Sequence, residues 1–209
     1  MVLAKNPDIK PGYTTLFVPG VTIESSTLNI RSSSNLYFGT RAGRIARRSA
    51  GDALVGSRSV LVVRVVTQDS KPSKTAAQIG VNVFGGNGDK VNLKSQMEGC
   101  SNNQLLIEKA VGKGIVEGTV EVSVNEKVSK HTSDTLAEIA LEELAKDLGI
   151  DYDDLSSIAD HIMVCLPSGT KGSWVAYGYI DHYLTVYNND WCNMPSAQLH
   201  ELGHNFVSI

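Results

Sequence analysis

Residues 60–66 read Val-Leu-Val-Val-Arg-Val-Val, a nearly continuous run of apolar and mostly β-branched side chains. A strand with one face in water alternates apolar and polar residues, whereas a strand covered on both faces is apolar along its length. The run therefore predicts a central strand buried on both faces. A strand of this kind is typical of a mostly parallel sheet that carries helices.

The remaining pattern places strands first, then a long helix, further strands and a terminal helix. Strands are predicted at 105–107, 120–124, 161–166 and 174–180. The long helix is predicted to begin at a cap on Asp134 or Thr135, the latter with Glu138 in capping-box position, and to stop at Gly149. This order predicts an α+β (mixed α/β) fold with a backing helix, not βαβ alternation throughout.

Length and charge predict one domain with an additional segment. The chain has 209 residues, 42% of them hydrophobic, and a net charge of −3 that is too mild to predict nucleic-acid binding. No apolar run approaches the length of a membrane span, and no secretory signal is visible. The first 50 residues hold seven basic and two acidic side chains, against 12 and 20 in the remainder. We therefore predict an N-terminal segment at 1–57 and a domain at 58–209.

The N-terminal segment has two features of its own. Short β-type runs occur at 14–18 and 21–23, and a basic run occupies 41–48. Residues 44–48 within that run resemble a dibasic processing site, although an ordinary solvated loop is the favoured interpretation. Its basic charge and its position before the first core strand predict that the segment is a remnant of a pro-region.

Residues 200–204 read His-Glu-Leu-Gly-His, an H-E-x-x-H motif. On a helix, His200 and His204 lie on one face with Cβ atoms about 5–6 Å apart, so both imidazoles can reach one Zn²⁺ ion. Glu201 lies one step round the helix, where it can accept a proton from zinc-bound water. The alternative is a chance pentapeptide on a surface helix.

The neighbouring residues favour a helix around this motif. Pro195 suits a first helical turn, and Asn193 or Ser196 can cap it. Gly203 is expected to let another backbone approach the helix closely. An apolar stripe beside the histidine face is formed by Leu199, Leu202 and Phe206.

The three cysteines allow at most one internal disulfide, and they form no zinc-binding spacing. Cys165 lies in an apolar run and is predicted to be a buried, inert thiol. Cys192 directly precedes the H-E-x-x-H helix and is a plausible anchor for its start. The third cysteine is Cys100, and the count alone does not identify the redox compartment.

Other candidate groups receive structural interpretations. Isolated histidines, predicted to be surface or capping residues, are His131, His161 and His182. Aromatic residues predicted to pack on strands, not to form a substrate platform, are Trp174, Tyr177 and Tyr179. Three acidic residues begin like a calcium loop, but the third acid and the glycine of such a loop are missing. They therefore predict a solvated helix start: Asp151, Asp153 and Asp154.

Several stretches together resemble the gametolysin family of metzincin zinc peptidases, and the order of the stretches is more specific than any one of them. The resemblance covers about residues 58–209. The stretches are 59–65 (SVLVVRV), 96–101 (QMEGCS), 163–167 (MVCLP), 174–177 (WVAY), 187–192 (YNNDWC) and 198–205 (QLHELGHN).

This resemblance implies a metzincin-like N-terminal subdomain, with a twisted, mostly parallel sheet, a backing helix and a cleft above the zinc helix. It implies a secreted zinc endopeptidase that acts on extracellular or cell-wall proteins and glycoproteins. By the same resemblance, His200 and His204 are zinc ligands and Glu201 is the general base.

Two departures from the metzincin pattern H-E-x-x-H-x-x-G-x-x-H leave alternatives open. Val207 stands where the pattern has glycine, and the third histidine would stand at position 210, one past Ile209. We therefore expect the 209-residue chain itself to be inactive; if it is active, Asp181 or His182 is the first residue to test as a third ligand.

The alternatives are a non-catalytic secreted binding or structural protein and another H-E-x-x-H hydrolase with a distant third ligand. The residues that follow position 209 discriminate among the three hypotheses. A histidine directly after Ile209 favours the peptidase. A stop codon favours the non-catalytic relative, and a helix that continues favours the other hydrolase.

Overall fold

The computed structural model describes residues 14–17, 22–24, 27–29, 37–40, 55–86 and 88–206. The chain divides into two compact units, Met1–Arg47 and Arg48–Ile209. The predicted boundary between residues 57 and 58 stays a prediction, and the first core strand begins at Gly56. No described helix combines the length and the apolar character that a bilayer span requires.

The described residues of the N-terminal unit form four short strands. They are β1 (Thr14–Phe17), β2 (Thr22–Glu24), β3 (Thr27–Asn29) and β4 (Tyr37–Thr40). β1 pairs antiparallel with β4, and β2 pairs antiparallel with β3. The β-type runs predicted at 14–18 and 21–23 correspond to β1 and β2, whereas the basic run at 41–48 lies outside the described residues.

The second unit contains a six-stranded, mostly parallel sheet. Its strands are β5 (Gly56–Val66), β6 (Leu105–Lys109), β7 (Thr119–Ser123), β8 (His161–Leu166), β9 (Ala176–Gly178) and β10 (Leu184–Asn188). The order across the sheet is β6-β5-β8-β10-β9, and β7 pairs with the second half of β5 beside β6. Every pairing is parallel except that of β9 with β10, so β9 is an antiparallel edge strand.

β5 is buried on both faces, as its sequence predicts. Leu61, Val63 and Val65 pack into the core on one side of the sheet, and Val60 and Val62 pack into the core on the other. Arg64, the charged residue of the run, is 6% exposed and pairs with hydrogen-bond acceptors. Its guanidinium donates to the carbonyl oxygens of Lys74 (2.6 Å) and Pro72 (2.9 Å) and to the Glu121 carboxylate.

The helices form one layer on each side of this sheet. α3 (Ser133–Leu148) packs on one side, and α1 (Ala76–Phe84), α2 (Leu93–Cys100) and α4 (Pro195–Phe206) pack on the other. α3 is the predicted backing helix, and Gly149 ends it in a left-handed conformation with φ of 74°. The predicted cap is wrong: Thr132 accepts a hydrogen bond from the backbone N–H of Thr135, so the helix begins earlier.

The predicted order lacked α1 and α2. α1 contains a glycine and several β-branched residues, which weaken the helical signal. Its beginning depends on a capping box in which Thr75 and Gln78 bond to each other's backbone. α2 buries only Leu93 and Met97, so its apolar periodicity is short.

The region between β8 and α4 also differs from the prediction. The strand predicted at 174–180 is only three residues long, at Ala176–Gly178. β10, which was not predicted, lies between β8 and β9 and is buried over its first four residues. The predicted packing of three aromatic residues against the core is confirmed, although only Tyr177 lies on a strand: Trp174, Tyr177 and Tyr179. Asp151, Asp153 and Asp154 are exposed at a short 3-10 helix, as a solvated helix start requires.

Candidate metal centre

The H-E-x-x-H motif lies on α4, which begins at Pro195 as predicted. Leu202 is fully buried in the core between the sheet and α1, α2 and α4, and Leu199 and Phe206 pack against the same core. The predicted apolar stripe is therefore confirmed. α4 contacts β9, β10 and α2, so this stripe fixes the helix against the edge of the sheet.

Three side chains on α4 form a cluster that could hold a metal ion. The ligand atoms of His200, Glu201 and His204 all lie within 4.8 Å of one another. The two imidazole rings have centroids 5.0 Å apart and are inclined at 87°. His200 is exposed, His204 is half-buried and Glu201 is 9% exposed. Within the described part of the chain this is the only group of this kind.

The donor set of the cluster suits a transition metal. Imidazole nitrogens bind zinc, copper, iron and nickel, whereas calcium and magnesium require oxygen ligands. Two imidazoles on one helix face leave the remaining coordination positions to other ligands. The residues present therefore fit a bound transition metal ion.

β10 contacts α4, the helix that carries the cluster. Tyr187 is fully buried, and its hydroxyl donates to the backbone oxygen of Gln198 on α4 at 3.4 Å. Burial raises the pKa of the Tyr187 hydroxyl far above its usual range, and the Glu201 carboxylate adds to this shift. Tyr187 therefore stays neutral and remains a hydrogen-bond donor to the α4 backbone.

A disulfide joins the beginning of α4 to the sheet. Cys165 of β8 pairs with Cys192, which lies in the short helix Asn189–Asn193 just before α4. The prediction that Cys165 is an inert thiol is wrong; it is buried as expected, but it is covalently paired. Cys192 does anchor the start of the helix, and Cys100 is exposed and free.

The other histidines do not join the cluster. His131 lies 3.2 Å from the Glu126 carboxylate, and His182 is exposed and stacks on Tyr183 with ring centroids 4.3 Å apart. The prediction for His161 is wrong, because it is buried with 6% exposure and lies beside Asn205 of α4. Asp181 approaches the centre through its backbone, donating its N–H to the His204 carbonyl oxygen at 3.2 Å.

The close backbone approach expected at Gly203 occurs at a different glycine. A Cβ atom added at Gly203 would meet nothing within 4 Å. A Cβ atom added at Gly178 of β9 would overlap the Glu201 carbonyl oxygen and lie 3.0 Å from its carbonyl carbon. The edge strand thus contacts the helix backbone at Glu201, and only glycine permits so short a distance between the two backbones.

Gly178→Ala is expected to lower the free energy of unfolding by about 1–3 kcal/mol, because the new methyl group overpacks a backbone contact. It should also weaken metal binding, since Glu201 and its neighbours must shift. Gly203→Ala is the matched control, expected to raise stability by up to about 1 kcal/mol through helix propensity. Urea titration of both variants checks this; equal stability of the two would contradict the packing argument.

Neither a protein-family model nor a curated protein matches this chain.

Proposed function

We propose that this protein is a zinc-dependent endopeptidase, with residues 58–209 belonging to a metzincin-like catalytic domain. The observation that carries the proposal is that two imidazoles and a largely buried carboxylate of one helix have ligand atoms within 4.8 Å of one another. The H-E-x-x-H spacing favours zinc over the other metals that imidazoles bind. The centre requires one further protein ligand, because catalytic zinc has three.

In this proposal His200 and His204 hold the ion. When bound, zinc supplies Lewis acidity, which makes a water molecule more acidic and polarises the scissile carbonyl. Glu201 accepts the proton of the attacking water and passes it to the leaving amine, a general acid–base contribution of about 10²–10⁴-fold. Because Glu201 is only 9% exposed, access of other water to its carboxylate is limited.

The compartment and substrate class are part of the proposal. The Cys165–Cys192 disulfide supports an oxidising location such as the extracellular space, since such bonds are rare in the cytosol. A secreted endopeptidase acts on extracellular proteins, and we propose proteins or glycoproteins of a cell wall or matrix as its substrates.

Zinc titration of the purified chain tests the metal assignment. We expect His200→Ala and His204→Ala each to weaken zinc binding by more than about tenfold, because each removes a ligand. His131→Ala is the control, since this histidine pairs with Glu126 outside the cluster. Unchanged affinity in both ligand variants would contradict the metal assignment.

Peptidase activity is tested separately. An unfolded protein substrate is incubated with the chain and, if the natural transcript encodes residues after position 209, with that longer product, each with and without a zinc chelator. Chelator-sensitive cleavage that is lost on His204→Ala supports the endopeptidase. Zinc binding without any cleavage by the chain or the longer product would favour the non-catalytic alternative.

A further inference from the structure

Asn205, the residue that follows the second histidine, connects the last turn of α4 to the β9–β10 hairpin. It is 6% exposed. Its Nδ2 donates to the backbone oxygens of Tyr179 at 2.8 Å and Leu184 at 3.1 Å. These carbonyls stand at the two ends of the hairpin turn, and the N–H of Tyr179 also donates to the Leu184 oxygen at 3.2 Å. One amide group therefore bonds both arms of the hairpin.

The same amide also bonds His161 and sets the position of the proton on its ring. Because Nδ2 of Asn205 faces the two carbonyls, its Oδ1 faces the ring of His161, with Nδ1 at 3.3 Å. An amide oxygen can only accept a hydrogen bond, so the proton of the imidazole lies on Nδ1. The ring is also held in an edge-to-face contact with Phe206, at a centroid distance of 4.6 Å.

These contacts bear on the ligand His204. The hairpin bonded by Asn205 also carries Asp181, whose N–H donates to the His204 carbonyl oxygen. The last turn of a helix has carbonyls without intrahelical partners and frays unless other groups bond them. At the other end of α4, the disulfide already holds the helix to β8. The Asn205 contacts thus determine the position of the turn that bears His204.

We propose that Asn205 and His161 form a positioning pair for the metal centre, holding His204 in the orientation that metal binding requires. The inference rests on the proposed function only in that the cluster binds zinc. Buried polar groups without partners are costly, so the three hydrogen bonds of the Asn205 amide favour one arrangement of helix and hairpin. An apolar core at this place would hold the helix without fixing its rotation.

The test compares zinc affinity, measured by competition with a chromophoric chelator, with stability, measured by urea unfolding, in full-chain variants. Asn205→Ala and His161→Leu are expected to weaken zinc binding by about tenfold or more, in the range seen when groups that orient ligands are removed. His161→Asn, which keeps an N–H donor at the δ position, should restore zinc affinity to within about threefold of the wild type.

Asn188→Ala is the matched control. Asn188 also bonds this hairpin through one amide, donating to the Trp174 carbonyl oxygen at 2.9 Å, but it does not bond α4. This variant should lose stability and keep its zinc affinity. If Asn205→Ala and His161→Leu lose only stability, as Asn188→Ala does, the positioning role is overturned.

The outcomes separate this inference from the proposed function. Zinc binding that depends on both Asn205 and His161 would support the positioning pair, whether or not the protein cleaves peptides. Cleavage together with wild-type zinc affinity in the pair variants would support the peptidase and overturn the positioning pair. Should Asn205→Ala fail to fold, His161→Leu against His161→Asn decides the question, because both keep the Asn205 bonds to the hairpin. A wild-type chain without zinc binding at His200 and His204 overturns both.

Discussion

In a form of the protein that cleaves peptides, Glu201→Gln is expected to lower peptidase kcat by about 10²–10⁴-fold while zinc affinity stays within about threefold of the wild type. The amide has the shape of the carboxylate but cannot accept the proton of the attacking water. If Glu201 were a metal ligand, replacing its charged oxygen would weaken zinc binding as well. The two measurements, steady-state kinetics and chelator competition, therefore separate a general base from a ligand.

Glu98→Gln provides the control for this substitution. Glu98 lies on α2, where it pairs with Lys94 at 3.0 Å on the surface of the helix, outside the metal cluster. Both side chains are partly exposed, and such a pair near the surface contributes about 0–1 kcal/mol to stability. Because Glu98 lies outside the cluster, activity should not change. Full activity in Glu201→Gln would exclude the proposed mechanism.

The double substitution Cys165→Ala and Cys192→Ala is expected to lower the free energy of unfolding by about 3–4 kcal/mol. The bond closes a loop between residues 27 positions apart, and breaking it increases the conformational freedom of the unfolded chain. The loop contains β9 and β10, which contact α4. Breaking the bond therefore also removes a constraint on these two strands. Urea unfolding of the wild type, oxidised and reduced, and of the double variant measures the effect.

Cys100→Ser is the control for the disulfide, because this cysteine is exposed and free. Its stability should equal that of the wild type under both oxidising and reducing conditions. A wild type whose unfolding is insensitive to reductant would contradict the assigned pairing.

The sequence predicted those parts of the fold whose signals are local. The apolar run of β5 indicated burial on both faces, and the stripe of α3 with Gly149 indicated a backing helix; both are confirmed. α1 and α2 were missed, because their beginnings depend on side-chain caps and their apolar faces are short. β10 was missed because five residues between aromatic and turn residues carry little periodic signal.

In the candidate site, too, the local features could be predicted and the long-range contacts could not. The cluster of His200, Glu201 and His204 could be predicted, since a helix brings residues four apart onto one face. The contacts that support it could not, because Asn205 meets His161 across 44 residues and Gly178 meets Glu201 from a different element. The cysteine count allowed one disulfide without identifying its members.

The position of β5 in the sheet has a consequence for biosynthesis. One of its neighbours, β8, is far away in the sequence, and the Ser59 hydroxyl at one end bonds Asp160, 101 residues later. At about 5–20 residues per second, a ribosome needs about 5–20 s to synthesise that interval. During this time an apolar, β-branched segment lacks one of its sheet partners, which favours aggregation. We therefore expect the nascent chain to depend on chaperones until β8 and β10 have emerged.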